Sequence, residues 1–204
     1  MEREVEQVNM KDTFTSIYKS NGWSGDESVS GTGSSLAQTN VIREEIPKLI
    51  KQFNISSVLD IPCGDYWWFK EMGLDIKYTG ADVVPELIIE NRRCYPGVNF
   101  IVADITKDYL PRVDLVLCRD LLGHFSNSDV KLALGNLLVS GSKYLLATTF
   151  PNVTSPIDIT TGMWRPINML HFDLPESLVL IDERLIGTDG KNCGKSLGLW
   201  RLGG

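Results

Sequence analysis

The sequence carries no basic run longer than Arg92-Arg93, only two histidines, and no Cys-x-x-Cys pair among its four cysteines, Cys63, Cys94, Cys118 and Cys193. With 20 basic against 26 acidic residues and a net charge of −6, a nucleic-acid partner held by phosphate neutralisation is disfavoured. The dispersed cysteines remove the usual zinc and redox signatures, and free thiols in a reducing compartment are their simplest account. The longest strongly apolar runs, Leu178 to Ile181 and Tyr144 to Ala147, fall far short of the roughly 20 residues needed to cross a bilayer, so no membrane insertion is expected. Met1 to Gln7 is acidic and has no apolar signal core, from which a cytosolic location is expected.

What is present suits one globular domain. The 204 residues are 43% hydrophobic and 23% charged, enough to build a core without disulfide or metal staples. Residues 1–21 read as a polar, weakly patterned extension and residues 22–204 as the domain. Gly22 to Ser35 concentrates glycine and serine, which is loop chemistry. Leu36, Val41, Ile42, Ile46, Leu49, Ile50 and Phe53 then recur at helical spacing, with Pro47 as a kink point. Beyond them short apolar strands alternate with helical stretches: Ser57 to Ile61, then Trp67 to Met72; Lys77 to Val83, then Pro85 to Cys94; Val98 to Ala103; Val113 to Cys118, then Asn127 to Val139; Lys143 to Thr149. That alternation predicts an α/β fold with a Rossmann-like, doubly wound, mostly parallel sheet. Leu178 to Ile186 and Ser196 to Leu202 are separated only by the turn-rich Gly187 to Gly194, which predicts a C-terminal antiparallel hairpin.

The chemistry concentrates at strand ends. Val58-Leu59-Asp60-Ile61-Pro62-Cys63-Gly64-Asp65 is a buried strand ending in a carboxylate and a turn at Gly64, where the missing β-carbon lets the backbone approach a ligand. The second strand ends at Asp82, placed to accept both hydroxyls of a ribose, and the third at Asp104, placed to line an adenine pocket. A helix cap before Pro85 is the competing role for Asp82, and capping or turn formation that for Asp104. Nicotinamide binding normally needs Gly-x-Gly-x-x-Gly so that a pyrophosphate can sit on a helix terminus, and this turn has only Gly64. A cofactor with an adenosine but no pyrophosphate fits better, and S-adenosylmethionine is built that way.

The motifs Asp60-Ile-Pro-Cys-Gly-Asp65, Gly80-Ala-Asp82, Ala103-Asp104 and Arg119-Asp120-Leu-Leu-Gly-His124 resemble those of class I S-adenosylmethionine-dependent methyltransferases. Ser28-Val-Ser-Gly-Thr-Gly-Ser-Ser35 and Trp164-Arg-Pro-Ile-Asn-Met169 narrow the resemblance to a group found near glycan-building enzymes, including methyltransferase segments of large-virus glycosylation proteins. The resemblance spans roughly residues 22–202, with one departure: Asp65 stands where many class I enzymes have a further glycine. It implies that the cofactor is held by Ser30, Gly31, Ser34, Asp60, Pro62, Cys63, Gly64, Asp82, Val83, Asp104, Ile105 and Arg119. The glycine-serine loop leads directly into the first helix, whose amino-terminal N–H groups could receive a carboxylate, so it is expected to close over the cofactor's amino-acid end, against the plainer reading of a surface linker.

Methyl transfer to an alcohol requires proton removal, for which histidine is suited near neutral pH. His124 is therefore the expected base, with Asp120, one turn earlier if the segment winds, orienting it; a structural histidine is the plainer alternative. A magnesium-assisted variant through Asp120 is a further reading, though no specific metal motif is present. His171 is not assigned a role. Trp164, Arg165 and Asn168 lie in a long irregular stretch after the fifth strand, where a ring can stack on a sugar's C–H face and Arg and Asn can bond its hydroxyls; core packing competes for Trp164. The combined expectation is O-methylation of a sugar or glycan hydroxyl. Its alternatives are a methyltransferase with a non-sugar nitrogen or oxygen acceptor, a nicotinamide-dependent oxidoreductase, and a non-catalytic adenosyl-binding subunit.

Overall fold

The computed structural model describes residues 9–155, 157–185 and 193–203. Among them seven strands form one sheet: β1 (Ser57–Asp60), β2 (Lys77–Asp82), β3 (Asn99–Val102), β4 (Leu115–Cys118), β5 (Tyr144–Thr149), β6 (Val179–Asp182) and β7 (Ser196–Arg201). Their order is β3-β2-β1-β4-β5-β7-β6, with β1 to β5 parallel to one another and β7 antiparallel to both β5 and β6. The expected terminal antiparallel pair is therefore present, although Ile186 and most of the turn assigned to Gly187–Gly194 lie outside the described residues.

Side-chain alternation explains why both faces of the sheet are covered. Val116 and Cys118 of β4 enter one core, together with Leu59, Leu145 and Ala147, while Leu115 and Leu117 enter the other with Val58 and Leu146. Helix α2 (Asn40–Gln52) runs through Pro47 and covers the second face with Ile42, Ile46, Leu49 and Ile50, an i, i+4, i+7, i+8 stripe. The first face is covered by α4 (Asn127–Val139), through Val130, Ala133, Leu134 and Leu137. Ser126 caps α4 by accepting the Asp129 N–H at 3.2 Å, and Pro85 opens α3 (Pro85–Cys94) where its missing N–H costs no helical bond.

Three segments differ from their sequence expectation. Trp67 to Met72 does not form an α-helix, since only Phe69–Met72 winds, as a 3-10 turn. Tyr66, at φ 59°, packs its ring against Tyr78, Phe69, Tyr95 and Phe100, and this aromatic cluster pins the chain in a compact turn. The helix expected from Leu36 begins only at Asn40, after a 3-10 turn at Thr32–Ser34 and a further turn whose Thr39 N–H bonds Ser35 O. Inside the segment read as a polar extension, Met10–Lys19 forms α1, with Met10 and Phe14 buried against the first core. Asn9 caps this helix and Lys19 ties it to α3 through Glu86 at 2.7 Å. No helix of the described residues is long and apolar enough to cross a membrane.

Candidate active site

The strand order reverses between β1 and β4, and ligands of open α/β sheets bind outside the carboxyl ends of the strands at such a point. A cavity of about 540 Å³ opens there, a volume suited to a cofactor and a small acceptor. All twelve residues expected to hold the cofactor line it: Ser30, Gly31 and Ser34 from the glycine-serine loop; Asp60, Pro62, Cys63 and Gly64 from the end of β1; then Asp82, Val83, Asp104, Ile105 and Arg119 from the three following strand ends.

Gly64 is the tightest point. Its φ is +52°, a conformation that favours glycine, and a β-carbon there would lie 2.0 Å from Ser30 Oγ and 3.1 Å from Ser30 Cβ, so a larger residue would strain the turn and push Ser30 aside. Asp65 completes that closure by accepting the Ser28 hydroxyl at 2.9 Å and the Val29 N–H at 3.0 Å. Because the loop enters a 3-10 turn, it is not followed directly by a helix terminus that could receive a carboxylate; what it presents to the cavity is its own backbone around Gly31 and Gly33.

Asp82 accepts the N–H groups of Gly64 at 3.3 Å and Val84 at 3.1 Å, which aligns the carboxylate between the two strand ends. Burial raises its pKa to about 6 despite those bonds. Asp60 is pushed up to about 7, chiefly by burial, although Tyr78 donates its hydroxyl to it at 2.8 Å; the neighbouring Asp82 raises it further and Arg119 opposes the rise. Asp104 forms the turn that was its alternative role, accepting the Thr106 N–H and hydroxyl, while still facing the cavity.

His124 and Asp120 line the same cavity without bonding each other as expected. The segment does not wind through both: Asp120 takes a left-handed φ of 56°, and only Leu122–His124 forms a 3-10 turn. The imidazole is oriented instead by Met163, whose carbonyl lies 2.9 Å from Nδ1. A carbonyl only accepts, so Nδ1 carries the proton and Nε2 keeps its lone pair. Burial lowers the His124 pKa, with the Met163 bond and the nearby Asp120 charge opposing, so the ring is neutral at pH 7.

Asp120 is engaged elsewhere. Lys195 Nζ reaches its Oδ2 at 2.5 Å, Arg119 Nη1 approaches the same oxygen at 3.2 Å, and its backbone N–H bonds Thr148 Oγ1 at 2.8 Å. Burial would raise its pKa, but the two cations outweigh that and hold it well below the ordinary carboxylate range. Arg119 in turn bonds Glu183 at 2.7 Å and the Gly33 carbonyl at 2.9 Å, so it fastens the loop to the sheet. Among the described residues no group of three or more His, Cys, Asp or Glu side chains is placed to hold a metal, and Asp120, the carboxylate considered for magnesium, has both cations on it.

The acceptor assignments divide. Trp164 lines the cavity, 58% exposed, with Phe150 edge-on at 6.2 Å between ring centroids. Arg165 and Asn168, expected at the acceptor, are buried outside the cavity lining. Arg165 donates to the carbonyls of Ile157, Leu122 and Gly123 and to Asn127 Oδ1. Asn168 bonds the carbonyls of Pro151 and Val153 and caps the 3-10 turn after it. An irregular segment with few backbone partners of its own uses these two side chains to satisfy buried carbonyls. His171 likewise faces the Val153 carbonyl.

Sequence reasoning missed Lys195 and Glu183, which reach the site from the C-terminal strand pair, and Met10, Phe14 and Tyr18 of α1, which line the cavity with Trp23. The spacing of Met10, Phe14, Ile17 and Tyr18 was the available signal for α1. Nothing local marks Lys195.

Solved structures of methyltransferases are similar to this chain. Human N-acetylserotonin methyltransferase in complex with S-adenosylmethionine matches with a TM-score of 0.64 at 17% identity, over 97% of this chain and 61% of that one. The chain thus spans about three-fifths of that neighbour's length. The N-methyltransferase NodS from Bradyrhizobium japonicum WM9, in complex with S-adenosyl-L-homocysteine, matches with a TM-score of 0.66 at 14% identity, over 93% of this chain and 97% of that one. Magnesium protoporphyrin IX methyltransferase from Synechocystis PCC 6803, with bound S-adenosylmethionine, gives 0.60 at 11% identity, over 96% and 98%. No protein-family model and no curated protein matches the sequence. Together with the strand order, these likenesses identify the fold as the Rossmann-like, mixed seven-stranded one of these methyltransferases.

Proposed function

We propose that the protein is an S-adenosylmethionine-dependent methyltransferase acting on the oxygen of a sugar hydroxyl, in the synthesis of a glycan. The observation that carries this reading is that the adenosyl-type cradle and a neutral, oriented histidine share one cavity. Asp82 has lone pairs left for the ribose hydroxyls beyond the two N–H groups it accepts, and Val83 and Ile105 offer apolar walls between Asp82 and Asp104. The Gly64 turn and the backbone of residues 30–34 take the amino-acid end. No α-helix follows β1 directly, so a pyrophosphate would find no helix terminus there, which weighs against a nicotinamide cofactor. Five carboxylates, Asp60, Asp65, Asp82, Asp104 and Asp120, against two cations, Arg119 and Lys195, line the cavity and favour a cationic cofactor.

S-adenosylmethionine, when bound, supplies a methyl group on a sulfonium, a good leaving group. His124 Nε2 would take the proton from the acceptor hydroxyl, and the Met163 carbonyl would stabilise the resulting imidazolium through Nδ1–H. Phe150 and Trp164 present aromatic faces on which the C–H side of a sugar stacks. Calorimetric titration with S-adenosylmethionine and with NAD tests the cofactor assignment: the reading expects binding of the first alone, and binding of NAD alone would overturn it.

A further inference from the structure

The cavity also holds a polar pair, Asp120 and Lys195, that proton removal by His124 does not use. Lys195 stands just before β7 and Asp120 just after β4, joined at 2.5 Å. Resting on the proposed sugar acceptor, we propose that Asp120 and Lys195 form a subsite that reads a second, neighbouring hydroxyl of that acceptor, so that the substrate class is an uncharged vicinal diol rather than any isolated alcohol.

Three observations carry this. Asp120 has 34% of its side chain exposed, toward the cavity it lines, and its Oδ1 receives only a long bond of 3.3 Å from Thr148. Ionised between two cations, it can only accept, so it calls for a ligand donor. Lys195 has three N–H groups, of which one meets Asp120 and another is directed at Glu183 Oε2, 3.6 Å away; donor capacity remains on the cavity side. One acceptor beside one donor is the complement of a hydroxyl, which gives one hydrogen bond and takes one.

The charges argue against an anionic ligand. Arg119 and Lys195 are each paired with Asp120 and Glu183, so the cluster of four is neutral overall and holds no uncompensated cation for a phosphate or carboxylate. Glu183 is the positioning residue: fully buried, it anchors Arg119 and stands behind Lys195, fixing where both present their N–H groups. The left-handed backbone at Asp120, held by the Thr148 hydroxyl, turns its carboxylate toward Lys195 and Gly33.

The test compares methyl glycosides of common pyranoses with their monodeoxy analogues, using full-length wild type, Lys195→Gln and Lys195→Arg, and measures S-adenosylmethionine affinity calorimetrically in each. Removing the hydroxyl next to the methylated one should lower wild-type kcat/KM about 10- to 100-fold, as expected for a hydrogen bond to a charged group. Lys195→Gln should lose a similar factor on the diol but little more on the deoxy analogue, with cofactor affinity within about threefold of wild type. Lys195→Arg should recover part of the loss. Equal loss on diol and deoxy acceptors would overturn the subsite, as would a tenfold loss of cofactor affinity, which would reassign the pair to the cofactor's amino-acid end. Should the lysine variants fail to fold, the wild-type comparison decides alone, and equal rates on both acceptors contradict the proposal. A wild type that binds S-adenosylmethionine but methylates no glycoside overturns the acceptor class itself and the subsite with it.

Discussion

The carboxylate of Asp65 accepts the hydroxyl of Ser28 at 2.9 Å, 37 residues away in sequence, and so joins the glycine-serine loop to the turn after β1. The residue that departs from the glycine usual in class I enzymes therefore acts as a tether. Asp65→Ala should release the loop and weaken S-adenosylmethionine by roughly 1.5 to 3 kcal/mol, measured by calorimetry, with little change in melting temperature. Unchanged affinity would mean that the loop does not cover the cofactor.

Asp82→Ala should cost a similar roughly 1.5 to 3 kcal/mol in cofactor affinity if the carboxylate holds the ribose. The raised pKa values, about 6 for Asp82 and about 7 for Asp60, add a pH dependence. Both groups are protonated in the free protein at pH 5, and a cationic ligand donating hydroxyls favours their ionised forms. Affinity should rise between pH 5 and 7.5, with protons released to buffer on binding. The stability of the free protein should move the other way: folded pKa values above the unfolded value of about 3.9 mean that these two groups contribute less as pH rises from about 4 to 7. Titrations in buffers of different ionisation enthalpy count the protons, and proton uptake on binding would contradict the assignment.

Arg165→Ala should destabilise the fold rather than alter acceptor recognition, since the guanidinium bonds buried carbonyls and Asn127. The expected loss is about 1.5 to 3 kcal/mol in denaturant unfolding, with the acceptor KM of the folded fraction near wild type. A raised KM at full stability would return Arg165 to the acceptor site.

How much of this could be read from the sequence depends on whether the governing interactions are local. The strands and α3 are visible because apolar runs and Pro85 are punctuated by turn residues, and the carboxylates of Asp60, Asp82 and Asp104 sit at strand ends that the parallel order brings together. Lys195 and Glu183 join Asp120 and Arg119, across 75 and 64 residues, only because β7 inserts antiparallel beside β5. The orientation of His124 depends on a backbone carbonyl, Met163, and backbone acceptors leave no residue-type signal. Arg165 and Asn168 are residue types shared by sugar sites and by irregular segments whose carbonyls need partners, and burial alone separates the two cases.

His124→Ala should lose about 10² to 10⁴ in turnover while retaining cofactor affinity, the usual contribution of a positioned base. Asp120→Asn should keep the acid limb but move it to lower pH, because Asp120 does not bond the imidazole yet its charge raises the His124 pKa. Since burial lowers the His124 pKa, wild-type turnover should be level at neutral pH and fall only as pH drops below the ordinary histidine value of about 6.5, and that fall should vanish in the alanine variant. Persistence of the acid limb in His124→Ala would assign the base elsewhere.

Methyl transfer from S-adenosylmethionine to a sugar oxygen is measured directly with cofactor carrying a ¹³C-labelled methyl group, wild-type protein and a panel of neutral methyl glycosides. Mass spectrometry and NMR then read the product. The expected result is stoichiometric S-adenosylhomocysteine and a single labelled O-methyl group on a ring hydroxyl that has a neighbouring hydroxyl, formed at least about 10²-fold more slowly by His124→Ala. Label found on nitrogen of a non-sugar acceptor, or no transfer to any glycoside by protein that binds the cofactor, would contradict it.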